Sequence, residues 1–134
     1  MKNILVVDDS KMFADGLSEL LRDVGHKVTT MYDPASAIEA IRNGVFDIVI
    51  TDKDMHGDHN AGFEVVRAAR ARGDMPIVMI SGGVSAATLP VVQKQLGDIG
   101  GNIQFVDKSD TVGWCAKVLA VVNGTQKAPG AINV

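Results

Sequence analysis

Short apolar runs, rich in β-branched residues and each ended by acidic or small residues, recur along this chain and leave few folds open to it. Ile48, Val49 and Ile50 form one such run, and it stops abruptly at Asp52 and Asp54, ahead of a loop containing Gly57. The run is too short for a helix and reads as a buried strand. Ile4 to Val7 runs in the same way into Asp8 and Asp9, and Ile77 to Ile80 into Ser81, Gly82 and Gly83. If these strands are parallel neighbours, their polar ends gather in one crevice, where open α/β sheets hold their ligands.

Helical periodicity separates the runs. Phe13, Leu17, Leu20, Leu21 and Val24 share one face of a first helix, with Asp9 or Ser10 as its cap and Gly25 as its stop. Lys27 to Met31 is a strand of mixed polarity, suited to an edge. Asp33 followed by Pro34 opens a second helix, with Ala37, Ile38, Ala40 and Ile41 inward and Gly44 at its end. Residues 63–72 form a third helix, burying Val65, Val66 and Ala69 and stopping at Gly73. A fourth begins late, capped by Thr88 with Pro90 in its first turn, and Gly97, Gly100 and Gly101 break it. Gln104 to Val106 is a fifth strand. Val112, Cys115, Ala116, Leu119 and Val122 mark a fifth helix, and the residues from Gly124 onward are small and polar, which predicts a disordered tail. Strands and helices in strict alternation predict a parallel sheet covered by helices on both faces.

The 134 residues suffice for one domain, and 46% hydrophobic content with few aromatics suits an aliphatic α/β core. A net charge of −3 gives no electrostatic footprint for nucleic acid, and Arg67, Arg70 and Arg72 read as the wet face of a helix. The single cysteine, Cys115, cannot form an internal disulfide, which fits a reducing cytoplasm. No apolar run approaches the ~20 residues needed to span a bilayer. Strand-like residues follow directly after Lys2, so no signal peptide is expected.

The expected crevice holds Asp8, Asp9 and Asp52, with Ser81 and Lys108 from two further strand ends. Crowded carboxylates repel one another and invite a divalent cation, and oxygen-only ligands favour Mg²⁺. A hydroxyl and an ammonium beside them suit a phosphoryl group, and a carboxylate such as Asp52 can accept one to become an aspartyl phosphate. Each piece also has a plainer reading: Asp9 as a helix cap, Ser81 to Gly83 as any loop, Lys108 as a solvated charge. Their order across successive strand ends is the specific signal. His56, Asp58 and His59 offer three metal-ligating types within one short loop, but so short a loop rarely wraps a tetrahedral ion, and Gly57 favours a turn.

On these residues the chain resembles the receiver domains of two-component response regulators, such as the single-domain chemotaxis regulator. The resemblance rests on Val6 to Ser10, Ile48 to Asp52 with Met55, Gly62, Pro76 to Gly82, and Phe105 to Lys108. It covers about residues 2–123 and implies one receiver domain over 1–123, with a flexible tail over 124–134. It implies a doubly wound (βα)5, flavodoxin-like three-layer sandwich with strand order 2-1-3-4-5. By position, it makes Asp52 the phosphoacceptor, Asp9 a direct Mg²⁺ ligand, Asp8 a helper through water, and Asp54 the donor of a backbone carbonyl to the metal. Ser81 takes the place of the hydroxyl that contacts the phosphoryl group, Lys108 that of the family lysine, and Phe105 that of the aromatic switch. The implied donor is a phosphohistidine on a histidine kinase or phosphotransfer protein, and the implied output is a switched protein-binding surface of this domain, read by an unnamed partner.

Four features depart from the family pattern. His56 stands where proline is usual, the loop from Gly57 to Ala61 is about two residues longer, Ser109 replaces the proline after the lysine, and the segment between Ser81 and Lys108 is roughly five residues longer than is usual for the family. The leading expectation is a stand-alone receiver, not a turnover enzyme. Two rivals are a haloacid-dehalogenase-like phosphohydrolase using Asp52 and Asp54, and a pseudo-receiver that keeps the fold without phosphorylation.

Overall fold

A computed structural model describes residues 1–82, 88–110 and 113–124. The elements run β1 (Asn3–Val7), α1 (Lys11–Asp23), β2 (Lys27–Met31), α2 (Pro34–Asn43), β3 (Ile48–Asp52), α3 (Ala61–Arg72), β4 (Ile77–Ser81), α4 (Leu89–Leu96), β5 (Ile103–Asp107) and α5 (Trp114–Val122), with a 3-10 turn at Gly97–Gly100. All neighbouring strands are parallel, in the order β2-β1-β3-β4-β5, so the doubly wound fold is the one observed. β3 lies at the centre and is buried along its whole length; β2, the strand of mixed polarity, lies at an edge.

Alternation along the strands divides the core in two. Leu5, Val7, Val49, Ile77, Met79 and Ile103 pack with α2, α3 and α4, while Ile4, Val6, Ile48, Ile50, Val78, Ile80 and Val106 pack with α1 and α5. Successive strand residues point to opposite faces, so continuous apolar runs are what a sheet covered on both sides requires. Among the described residues, no helix is long and apolar enough to cross a membrane.

Helix ends follow the capping chemistry of the sequence. Ser10, not Asp9, caps α1, its Oγ accepting from the Phe13 N–H. Asp33 caps α2 through the Ser36 N–H, with Pro34 in the first turn, and these bonds hold its carboxyl below the usual range. Thr88 takes the N-cap position of α4 as expected, but its side chain makes no capping bond. Two inward assignments are corrected. Val24 is 53% exposed because α1 ends at Asp23 and Val24 has already left the helix. In α5 the buried positions are Val118 and Val122, while Ala116 faces out. That helix is apolar nearly all round, so spacing alone does not select the inner face. Residues 83–87, the contribution of Val112 and the tail from 125 onward lie outside the described residues.

Arg67 and Arg72 are exposed as expected, Arg67 pairing with Glu64. Arg70 differs. It donates to the carbonyls of Met75 at 2.8 Å, Ile99 at 3.2 Å and Asn102 at 3.3 Å, and to that of Gly101, gathering the chain just before β4 and β5. Burial lowers its pKa, partly offset by Asp74.

Candidate functional site

The parallel register delivers the polar residues to one end of the sheet. Asp8 follows β1 and continues its ladder, its N–H donating to Met31 O at 3.1 Å. Asp52 is the last residue of β3 and Ser81 the last of β4. The Lys108 N–H donates to Ser81 O at 3.0 Å, which brings the end of β5 level with them.

Asp8 is 2% and Asp52 7% exposed, whereas Asp9 points to solvent. Carboxylate oxygens of all three lie within 4.8 Å of one another. Asp8 accepts from the Ser10 N–H at 2.9 Å and from Lys108 Nζ at 2.7 Å, and Lys108 Nζ also reaches Asp52 at 3.3 Å. Burial first, and the charge of Asp8 second, push the Asp52 carboxyl up to about 6, against the pull of Lys108. Burial opposes the charge on Lys108, but its bond to Asp8 and the charges of Asp52 and Asp8 outweigh burial and raise its pKa. One ammonium thus shares two buried carboxylates, and negative charge remains in excess.

Ser81 is buried, with its Oγ 3.5 Å from Asp54 Oδ2. The Asp54 side chain also lies 3.4 Å from Lys53 Nζ and 3.4 Å from His59 Nδ1, and its carboxylate stays outside the three-carboxylate group. Phe105 is half-buried on β5, packed against the core beneath α3 and α4.

The unusual loop is a tight turn. Met55 and Asp58 bond reciprocally at 3.1 and 2.9 Å, with His56 at φ 53° and Gly57 at φ 79° between them. Two central residues at positive φ are what a type I′ turn needs. Proline, fixed near −65°, cannot occupy the first of them, which accounts for His56 in its place. The His56 N–H, absent from proline, donates to Asp9 Oδ2 at 2.9 Å, and its ring meets Tyr32 O at 3.1 Å. Asp58 accepts from the Asn60 N–H. His56, Asp58 and His59 therefore turn to separate partners, and among the described residues only Asp8, Asp9 and Asp52 have metal-ligand spacing.

Two residues named in the sequence reading have roles there that it did not assign. Gly62 donates to Lys53 O at 2.9 Å, and a Cβ there would lie 2.8 Å from Lys53 Cα and closer still to Asp52 O, so only glycine lets α3 seat against the end of β3. The Phe13 ring lies under Lys108 Nζ, 4.2 Å from centroid to nitrogen. Helical spacing makes Phe13 a core residue; nothing local in sequence points it at a lysine on another element.

The donor set suits a hard divalent cation. Three carboxylates with one ammonium leave net negative charge, all ligand atoms are oxygens, and Asp9 keeps an open side. The pocket of Asp8, Asp9 and Asp52 therefore fits Mg²⁺.

Residues 4–108 match the response regulator receiver domain family. The regulatory protein VirG of Agrobacterium tumefaciens is 31% identical over 97 residues, covering 72% of this chain and 36% of that protein. The chain thus spans about a third of the length of that relative. A chemotaxis response regulator of Vibrio cholerae is similar in structure, with TM-score 0.72 and 29% identity over 91% of this chain and 98% of its own. A response regulator of Thermotoga maritima, solved in complex with Mg²⁺ and BeF, gives TM-score 0.71 at 25% identity over 94% of this chain and 100% of its own. Sequence match, sheet order and acidic pocket agree: the chain belongs to the response regulator receiver domain family of two-component systems.

Proposed function

We propose that this domain accepts a phosphoryl group on Asp52 from a phosphohistidine of a histidine kinase or phosphotransfer protein. The observation that carries the reading is the buried Asp52 carboxylate, flanked by two further carboxylates and by Lys108. In the transfer, an Asp52 oxygen forms a bond to phosphorus while the donor's N–P bond breaks, and its electron pair stays on the imidazole. Asp8, Asp9 and Asp52 with the Asp54 carbonyl would hold Mg²⁺, which supplies charge neutralisation for the transferring group. The Mg²⁺ and BeF complex of the Thermotoga maritima relative supports that assignment. Lys108 Nζ, already 3.3 Å from Asp52, offers a point charge to the phosphoryl oxygens, and the buried Ser81 hydroxyl offers a hydrogen bond.

Phe105, half-buried on β5, is the proposed switch that tells the surface of α4, β5 and α5 that the site is loaded, for a downstream protein partner to read. Residues 1–123 act as the receiver unit. Phosphoryl acceptance and loss are self-catalysed steps of the domain, not turnover of an external substrate. The reaction belongs in the cytoplasm, where the single Cys115 stays a thiol, and it involves neither nucleic acid nor membrane.

The test is incubation of wild type and Asp52→Ala with acetyl phosphate and Mg²⁺, followed by intact mass. A labile gain of one phosphoryl group in wild type alone is expected. No gain in either would favour a pseudo-receiver. The phosphohydrolase reading has the family assignment against it, and turnover of a phosphomonoester lost in Asp54→Asn would revive it.

A further inference from the structure

A lysine has a long flexible stem, so holding its ammonium between two carboxylates takes more than their charge. Lys108 Nζ lies 2.7 Å from Asp8 and 3.3 Å from Asp52, and a further side is closed by the face of Phe13 at 4.2 Å. That distance is well inside the range at which an aromatic quadrupole attracts a cation. Phe13 in turn meets Trp114, the first residue of α5, with ring centroids 4.9 Å apart and planes tilted by 43°. Both rings are half-buried and pack on the core beneath α1 and α5. A leucine at position 13 would fill that core as well. Only an aromatic face also answers the cation.

We propose that Phe13 is a positioning residue for Lys108, and that the Phe13–Trp114 pair carries the state of the site to the first turn of α5. The inference rests on Asp52 being the phosphoryl acceptor. A phosphoryl group on Asp52 places new negative oxygens beside Lys108. The ammonium drawn to them changes its seat over the Phe13 ring, and Trp114 lies against that ring. This route leaves the site on the α1 and α5 side of the sheet, whereas Phe105 lies on the side of α3 and α4. Trp114 is the single tryptophan of the chain, so its emission isolates the event.

The experiment follows the full chain with acetyl phosphate and Mg²⁺, reading phosphoryl gain by intact mass and Trp114 emission in parallel. Wild type should change emission at the rate at which it gains mass. Phe13→Leu should take up phosphate about 3- to 30-fold more slowly, the rate equivalent of a partly desolvated cation–π contact. Its emission should no longer follow the mass. Phe13→Tyr keeps the π-face and should restore both to within about twofold. A urea transition checks that Phe13→Leu is folded, and Phe13→Met replaces it if it is not. A Leu or Met variant that reacts as fast as wild type overturns the proposal, as does a Tyr variant as slow as Leu, or a wild-type emission blind to phosphorylation. A wild type that gains no mass overturns the assignment of Asp52 itself, and this inference with it.

Discussion

Asp52→Asn should make the metal-free protein more stable at neutral pH. Asparagine matches the shape of the protonated carboxyl and removes the charge that the crevice disfavours. A carboxyl displaced from its ordinary 3.8 to about 6 carries a penalty of roughly 3 kcal/mol when ionised in the folded state. Water reaches the crevice and screens part of this, so about 1.5–3 kcal/mol is expected. Because the folded pKa is raised, the folded state binds the proton more tightly than the unfolded chain. The penalty is therefore absent below about pH 4, grows between about pH 4 and 6, and is complete above that. The assay is urea denaturation of both proteins in EDTA from pH 4 to 8. The variant's advantage should vanish at the acid end and reach a plateau near pH 7. Adding Mg²⁺ should stabilise wild type more than the variant and close the gap, since a ligand of the native state adds stability by mass action. An Asn variant no more stable than wild type at pH 7.5, or a gap independent of pH, would refute the reasoning.

Gly62→Ala should lose about 1–3 kcal/mol in urea unfolding, because its Cβ meets the rigid main chain of Asp52 and Lys53 rather than a side chain that can yield. The same variant should accept phosphate more slowly, since relief of the clash displaces Asp52. Arg70→Ala should cost about 2–4 kcal/mol by leaving several carbonyls without their charged donor, and Arg70→Lys should recover only part, lacking the planar fork. Gly82→Thr should lengthen the life of the aspartyl phosphate: a Cβ at Gly82 meets nothing within 4 Å, so the side chain fits and occupies space beside Ser81 that water would use. An unchanged half-life by mass would dismiss that role.

The fold was legible because both of its periodicities are strong where they matter. Ile4–Val7, Ile48–Ile50 and Ile77–Ile80 are apolar on both faces, and only a sheet covered by helices on both sides needs that. The acidic site was legible for a related reason, since strand ends in one parallel register must meet. Legibility failed where the signal was degenerate or non-local. α5 is apolar nearly all round, so Ala116 and Val118 could exchange roles without altering the pattern. Asp9 and Ser10 are both good caps, and the choice fell to Ser10 because the Asp9 carboxylate is engaged by the His56 N–H. That bond and the seat of Lys108 on Phe13 join elements distant in the chain, and no local pattern encodes them.

The Arg70 clasp has a mechanical consequence. It ties α3 to the segments that enter β4 and β5, at the end of the sheet away from Asp52. One margin is thereby clasped by a single side chain, like pages at a spine, while the opposite margin, past the last ladder bond from the Lys108 N–H to Ser81 O, holds the side-chain charges of Lys108, Asp8 and Asp52. A displacement of β4 and β5 relative to α3 would be smallest at that clasp and would grow toward the acidic margin. A small rotation at the clasped edge would then become a larger stroke at Ser81 and Lys108.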